Sequence, residues 1–302
     1  MALAAKKHGD TKKRDGLLDR LRLVSIIIMT ISEHLAYSTV RIECIGCDGI
    51  TSTGTGFFFR FNENGKRESI PVVITNKHVI DGARKGTLVF TIAEAGSPVD
   101  TRHLTLHSEM VFEDFWKKHP DPAVDLCAMS ITPFITAAKM QETDLYLTFL
   151  DCSNIPDKDN YDKLTALEEI VMVGYPDGFW DETNNKPIFR KGITATHPYV
   201  DYNGTKEFLV DAACFPGSSG SPVIHLIENN VYAGRKIAVG MPKIILLGIL
   251  YATLQSTSTG DIYIEKIPTK QKPIVLTGIP NNLGLVIKSE RIRELELLFL
   301  NE

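Results

Sequence analysis

An all-β architecture, a barrel or sandwich closed by one terminal helix, is predicted by three observations. From Tyr37 onward the chain is cut into many short β-rich runs, turn residues separate them at regular intervals, and a charged-and-apolar helical pattern appears at the C-terminal end. At 302 residues, 43% hydrophobic and 23% charged, the chain has room for one large or two small domains with a proper core.

Residues 1–20 are polar and carry Lys6, Lys7, Lys12, Lys13 and Arg14, which reads as a solvated tail. The apolar run Leu21–Ile31 is too short for a transmembrane helix. Asp10, Asp15 and Asp19 interrupt the positive region that an export signal needs. That run is therefore expected to pack on the domain that follows. Ser38–Cys44 alternates with period two, Thr55–Phe61 is β-rich, Asn62–Gly65 is a turn, and Ile70–Thr75 is a buried strand running into His78. Strands are expected near 87–92, 101–106 and 124–131, a short helix at 133–142, and a polar connection at 152–166. The second half repeats the style, with strands at 169–173, 188–196, 223–226, 243–251 and 283–287. A hairpin of 199–202 and 207–210 is expected around Asn203-Gly204. Ser289 is then expected to cap a helix with Ile292, Leu295, Leu298 and Phe299 on one face.

A net charge of -4 with a pI of about 6.1 argues against a general nucleic-acid-binding surface. Five cysteines, an odd number, do not form a disulfide framework, and Cys44 and Cys47 lack the second pair that a zinc site needs. Free thiols and the absence of a convincing signal peptide favour a cytoplasmic location. No metal or organic cofactor is expected.

One stretch concentrates chemistry. In Cys214-Phe215-Pro216-Gly217-Ser218-Ser219-Gly220-Ser221-Pro222, small residues crowd a turn between two apolar runs. Such a turn exposes a serine hydroxyl and aims main-chain N–H groups at one spot, as an oxyanion hole requires. Ser219 is read as nucleophile and the N–H groups of Gly217 and Ser219 as the hole. A serine hydroxyl needs a positioned base, and two further residues at strand ends complete a set: His78, which titrates near neutrality, and Asp125, which can hold an imidazole in one tautomer. Asp125 leads Asp114 and Asp121 because an apolar strand follows it. The remaining histidines read as surface or packing residues.

At these residues the chain resembles the trypsin-like, chymotrypsin-fold serine peptidases, and within them the HtrA/Deg-type branch. Thr75-Asn76-Lys77-His78-Val79 is similar to the histidine motif, Asp125-Leu126-Cys127-Ala128 to the aspartate motif, and Asp211–Pro222 to the stretch around the nucleophile. Gly54-Thr55-Gly56-Phe57 and Gly174-Tyr175-Pro176 resemble the glycine-rich strand and a second-half turn. The resemblance spans roughly residues 36–290 and implies two six-stranded β-barrels with the active site between them. It implies a covalent acyl-enzyme on Ser219, protein or peptide substrates, and a substrate side-chain pocket based near Ala213. Ala213 carries no charge, so a small or apolar residue before the cut is expected, although Asp201 and Asp211 lie nearby in the chain. Ser218 and Ser221 replace the usual Asp or Asn and Gly of the family. The second barrel is expected to take up most of the residues after Ser219, so a PDZ domain is not expected within this sequence.

The expected organisation is residues 1–35 as tail and apolar segment, 36–150 as the first barrel with His78 and Asp125, and 151–302 as linker, second barrel and helix. The expected function is serine endopeptidase. The alternative is a latent enzyme awaiting an activating partner, or a protein-binding module on the same fold.

Overall fold

The computed structural model describes residues 29–61, 69–108, 111–227, 230–233, 236–239, 243–258 and 277–299. The basic tail, residues 21–28 of the apolar run and the Asn62–Gly65 turn lie outside the described residues. Thr30 opens helix α1 (Ile31–Leu35) through a capping box with Glu33. Leu35 is fully buried, and Ile31, the last residue of the apolar run, packs half-buried against the same core.

The first half is a nine-stranded sheet among the described residues. Its strands are β1 (Thr39–Gly46), β2 (Thr51–Phe61), β3 (Ile70–Thr75), β4 (Ala83–Glu94), β5 (Ser97–Ser108), β6 (Lys117–Lys118), β7 (Cys127–Ser130), β8 (Asp144–Leu145) and β9 (Leu150–Asp151). They run β5-β4-β1-β2-β3-β7-β6, with β8 against β4 and β9 parallel to β2. The second half closes into a six-stranded antiparallel barrel. It comprises β10 (Glu169–Gly174), β11 (Ile188–Thr194), β12 (Glu207–Asp211), β13 (Pro222–Ile227), β16 (Lys243–Ser258) and β17 (Thr277–Lys288), while β14 (Asn230–Ala233) and β15 (Lys236–Val239) pair separately. Helices α2 (Lys77–Ile80), α3 (Thr132–Met140), α4 (Lys158–Tyr161) and α5 (Ile292–Glu296) lie in the connections and at the end. No helix among the described residues is long and apolar enough to cross a membrane.

The apolar runs have a physical reason. Strand β2 is buried on both faces, so alternation disappears from its sequence. Phe57, Phe59 and Phe61 point into a core shared with the second half, where they meet Val173, Ile224, Leu246, Ile249 and Ile287. Phe58 points the other way, into the core of the first sheet beside Val73, Phe90 and Met129. A third core, with Phe208, Val210, Val223 and Val286, fills the closed barrel. The two halves are thus clamped across one continuous apolar seam, and residues at its mouth are held at a fixed separation.

The C-terminal helix α5 crosses back onto the first half. Leu295 and Ile292 are fully buried in the shared core, and Phe299 stacks obliquely on Phe61 with 5.6 Å between ring centres. Ser289 does not cap it. Residues Ser289–Arg291 form a 3-10 turn ahead of the helix, and the Ser289 hydroxyl is buried without a hydrogen-bond partner. The 199–210 hairpin is also shorter than expected. Asn203 and Gly204 take left-handed φ and close a single bridge between Tyr202 and Thr205. The preceding arm instead turns on His197, and Lys288 ties it down through the Tyr199 carbonyl and Asp201.

Candidate active site

Strand β3 ends at Thr75, and α2 follows at once, so His78 projects from the first turn after a buried strand. Asp125 lies just before β7, the neighbour of β3 in the sheet. Adjacent strands thus deliver the two side chains to one end of the sheet. The Asp125 carboxylate grips His78 twice. Its Oδ1 accepts the His78 backbone N–H at 3.1 Å, and its Oδ2 lies 2.5 Å from Nδ1. The proton of a neutral ring then sits on Nδ1, leaving Nε2 as the acceptor. The Asn76 side-chain amide donates to the Asp125 carbonyl at 2.7 Å and fixes the loop. Burial pulls the Asp125 pKa upward, but the hydrogen bonds and charge of His78 outweigh it, and the carboxyl sits below its usual range. Asp114 and Asp121 do not contact the His78 ring; Asp121 instead pairs with Arg291 at 2.8 Å.

The serine loop is held from four sides. The Pro216 carbonyl accepts from the Asp177 N–H at 2.5 Å, and the Ser218 carbonyl from the Ser221 N–H at 3.0 Å. The Gly217 carbonyl accepts from Thr55 Oγ1 at 2.9 Å, and the Ser219 carbonyl from the Thr55 N–H at 2.9 Å. In a planar trans peptide, C=O and N–H point in opposite directions. Fixing the carbonyls of Pro216 and Ser218 therefore turns the N–H groups of Gly217 and Ser219 the other way. Neither of these N–H groups donates to another group among the described residues. Gly217 has φ of 81° and Gly220 of 88°, a region that side chains disfavour. A Cβ on Gly220 would lie 1.9 Å from the Thr55 carbonyl oxygen. The substituted serines fit this turn: Ser218 and Ser221 are both buried, and the Phe215 N–H and carbonyl close it through Ser218. The Ser219 hydroxyl itself makes no hydrogen bond to His78 among the described contacts.

A family model described as the trypsin-like peptidase domain matches residues 54–233, more than half of the chain and a span that includes His78, Asp125 and Ser219. The chain belongs to the trypsin-like peptidase family. Its architecture, mostly β with a closed six-stranded barrel and a short C-terminal helix, is the chymotrypsin-like fold of that family. Among solved structures, it is similar to the Rv3671c protease from M. tuberculosis in its active form, with 14% identity, TM-score 0.41, and coverage of 85% of this chain and 78% of that one. The serine endoprotease from Yersinia pestis gives 14% identity and TM-score 0.45 over 91% of this chain and 68% of that one. The HtrA-type protease AlgW, solved with a tripeptide, gives 16% identity and TM-score 0.43 over 88% of this chain and 60% of that one. No curated protein matches the sequence.

In this member of the family a small cavity of about 190 Å³ opens beside Ser219. One wall is Cys214, Phe215 and Pro216, the other Leu250, Tyr251, Ala252 and Thr253. Burial lifts the Cys214 thiol to about 11, so its wall is uncharged at neutral pH. Ala213 is not part of the lining; its carbonyl accepts from Arg190 at 3.1 Å, behind the loop. Neither Asp211 nor Asp201 reaches the cavity, and Asp201 is taken up by Lys288. Among the described residues no cluster of His, Cys, Asp or Glu could hold a metal ion. Three contributors escaped sequence reasoning. Thr55 was visible only as part of a motif, the Asp177 N–H acts through the main chain, and Leu250–Thr253 come from a strand that matches no motif.

Proposed function

We propose that the protein is a serine endopeptidase that cleaves protein or peptide substrates through Ser219, His78 and Asp125. The observation that carries this reading is the bracing of the serine loop, which leaves the N–H groups of Gly217 and Ser219 unspent beside a serine. A connecting turn has no use for two unpaired donors, whereas a developing oxyanion needs them.

In this reading the Ser219 Oγ–H transfers its proton to His78 Nε2 as Oγ bonds to the scissile carbonyl carbon. The oxyanion lies on the two N–H groups. Asp125 holds the ring and stabilises the imidazolium; it stays ionised because its carboxyl sits low. The carbon–nitrogen bond then breaks, Nε2 returns the proton to the departing amine, and water releases the acyl group by the same route. The uncharged cavity beside Ser219 fits a small or apolar side chain before the cut. A lysine or arginine there would bury its charge without a carboxylate, which costs several kcal/mol.

Intact mass after incubation with a fluorophosphonate tests this, with Ser219→Ala alongside. Labelling of the wild type alone is the expected result. Labelling of both proteins alike would move the nucleophile elsewhere. A second reading, a latent enzyme completed by a partner or effector, draws on the missing hydrogen bond between Ser219 and His78. Catalytic hydrogen bonds also tighten only on substrate binding in many enzymes, so this reading requires a wild type that stays unlabelled.

A further inference from the structure

We infer that Thr55 is the positioning residue that sets the serine loop against the histidine side of the cleft, an inference that rests on the serine-peptidase reading. Thr55 is fully buried on β2, in the first half, and every polar atom it owns is spent at the junction. Its N–H donates to the Ser219 carbonyl at 2.9 Å. Its hydroxyl donates to the Gly217 carbonyl at 2.9 Å and accepts from the Tyr175 N–H at 3.0 Å. Its carbonyl accepts from Thr75 Oγ1 at 2.7 Å.

These four bonds have a direction. Thr75 ends the strand that delivers His78, so the Thr75 bond ties Thr55 to the histidine side. Tyr175 begins the turn whose Asp177 N–H holds the Pro216 carbonyl. The bonds to Gly217 and Ser219 brace the loop that carries the nucleophile. One residue thus couples three segments from two halves of the molecule, its backbone reaching Thr75 and Ser219 and its hydroxyl Tyr175 and Gly217. The hydroxyl bridges Tyr175 and Gly217, both more than a hundred residues away in the chain. Among the described residues the Gly217 carbonyl and the Tyr175 N–H have no other hydrogen-bond partner, so removing the hydroxyl would leave both unpaired. The Gly217–Ser218 peptide would then be held only by the Ser218 N–H bond to the Phe215 carbonyl, and its tilt sets the two flanking peptides that carry the Gly217 and Ser219 N–H groups. Thr55 touches no reacting atom; it acts through the loop.

The test separates hydroxyl from shape. Thr55→Val keeps the branched volume without the hydroxyl, and Thr55→Ser keeps the hydroxyl without the methyl. Each is compared with wild type and Ser219→Ala for the rate of fluorophosphonate labelling, for kcat and KM on one peptide substrate, and for melting temperature. Thr55→Val is expected to label at least tenfold more slowly, with the loss in kcat rather than KM, while Thr55→Ser stays within about threefold of wild type. A folded Thr55→Val that labels at the wild-type rate overturns the inference. So does a tenfold loss in Thr55→Ser, which would assign the effect to the methyl group. Should Thr55→Val fail to fold, Thr55→Ala takes its place, and a folded Thr55→Ala that labels at the wild-type rate overturns the inference. An unlabelled wild type removes the reading of an active peptidase and this inference together, whereas a labelled wild type beside an equally fast Thr55→Val removes only the inference.

Discussion

Replacing Gly217 by alanine puts the proposed oxyanion hole under direct load. The residue has φ of 81°, which costs a side-chain-bearing residue about 1–2 kcal/mol. The added Cβ would stand 2.5 Å from the Tyr175 carbonyl oxygen, 3.1 Å from the Asp177 nitrogen and 3.2 Å from the Gly178 nitrogen. The first approach is about 1 Å inside ordinary van der Waals contact. All three obstacles are main chain, and Tyr175 cannot retreat freely because its N–H is bonded to Thr55. The loop relieves the clash by rotating the Pro216–Gly217 peptide, which breaks the bond from Asp177 and swings the Gly217 N–H away. Losing one oxyanion donor costs about 10²–10³ in kcat, roughly 2.7–4 kcal/mol. Gly217→Ala is therefore expected to lose that factor in kcat and in the second-order rate of fluorophosphonate labelling, with KM little changed. Stability should fall by about 1–3 kcal/mol, read by chemical denaturation. Labelling within threefold of wild type, at an unchanged melting temperature, would refute the placement of the hole at Gly217.

Three further outcomes follow from the same geometry. Asp125→Asn keeps the volume but no longer fixes the His78 tautomer, so kcat should drop about 10⁴-fold with the fold intact; a loss below tenfold would show that Asp125 does not orient the ring. A peptide library varied at the residue before the cut should favour alanine, valine or cysteine over lysine and arginine, and a basic preference would mean that the cavity beside Ser219 is not the side-chain pocket. His119 supplies a pH effect. Its ring is buried between Glu294, at 3.3 Å, and the Asp121 N–H. Burial lowers its pKa, with Arg291 and Lys77 pushing the same way and Glu294 opposing. The unfolded chain then takes up the proton first, so the stabilisation is complete above the ordinary histidine value of about 6.5 and is lost as pH falls below it. His119→Gln should flatten that acid slope in urea titrations, and parallel slopes for the two proteins would count against the buried neutral ring.

Much of the fold could be read from local signals. The β-rich Thr55–Phe61 run falls within strand β2, the 133–142 helix appears as Thr132–Met140, and the Asn203-Gly204 turn takes left-handed backbone. His78, Asp125 and Ser219 stood out because reactive residue types sit at strand ends or in a tight turn, outside any amphipathic pattern. Their neighbours were harder to read. Nothing local distinguishes Thr55 from other β-branched strand residues, and the Asp177 N–H is a main-chain group that every residue but proline has. Ser289 failed as a cap because the chain makes a 3-10 turn there and the hydroxyl faces inward. His119 read only as a surface or packing residue, and its burial against Glu294 of α5 depends on a contact between distant segments.

The sequence by itself determined the strand-rich class, the order of the three reactive residues, and the small residues that let the serine loop turn. These are properties of residue type and near-neighbour spacing, and they survive without knowing which strands meet. Only the tertiary structure decided which carboxylate holds His78, which carbonyls of residues 216–219 are tied back, and which walls shape the cavity beside Ser219. Apart from the local Ser218–Ser221 turn bond, each depends on a contact between segments far apart in the chain, and such contacts exist only in the folded molecule.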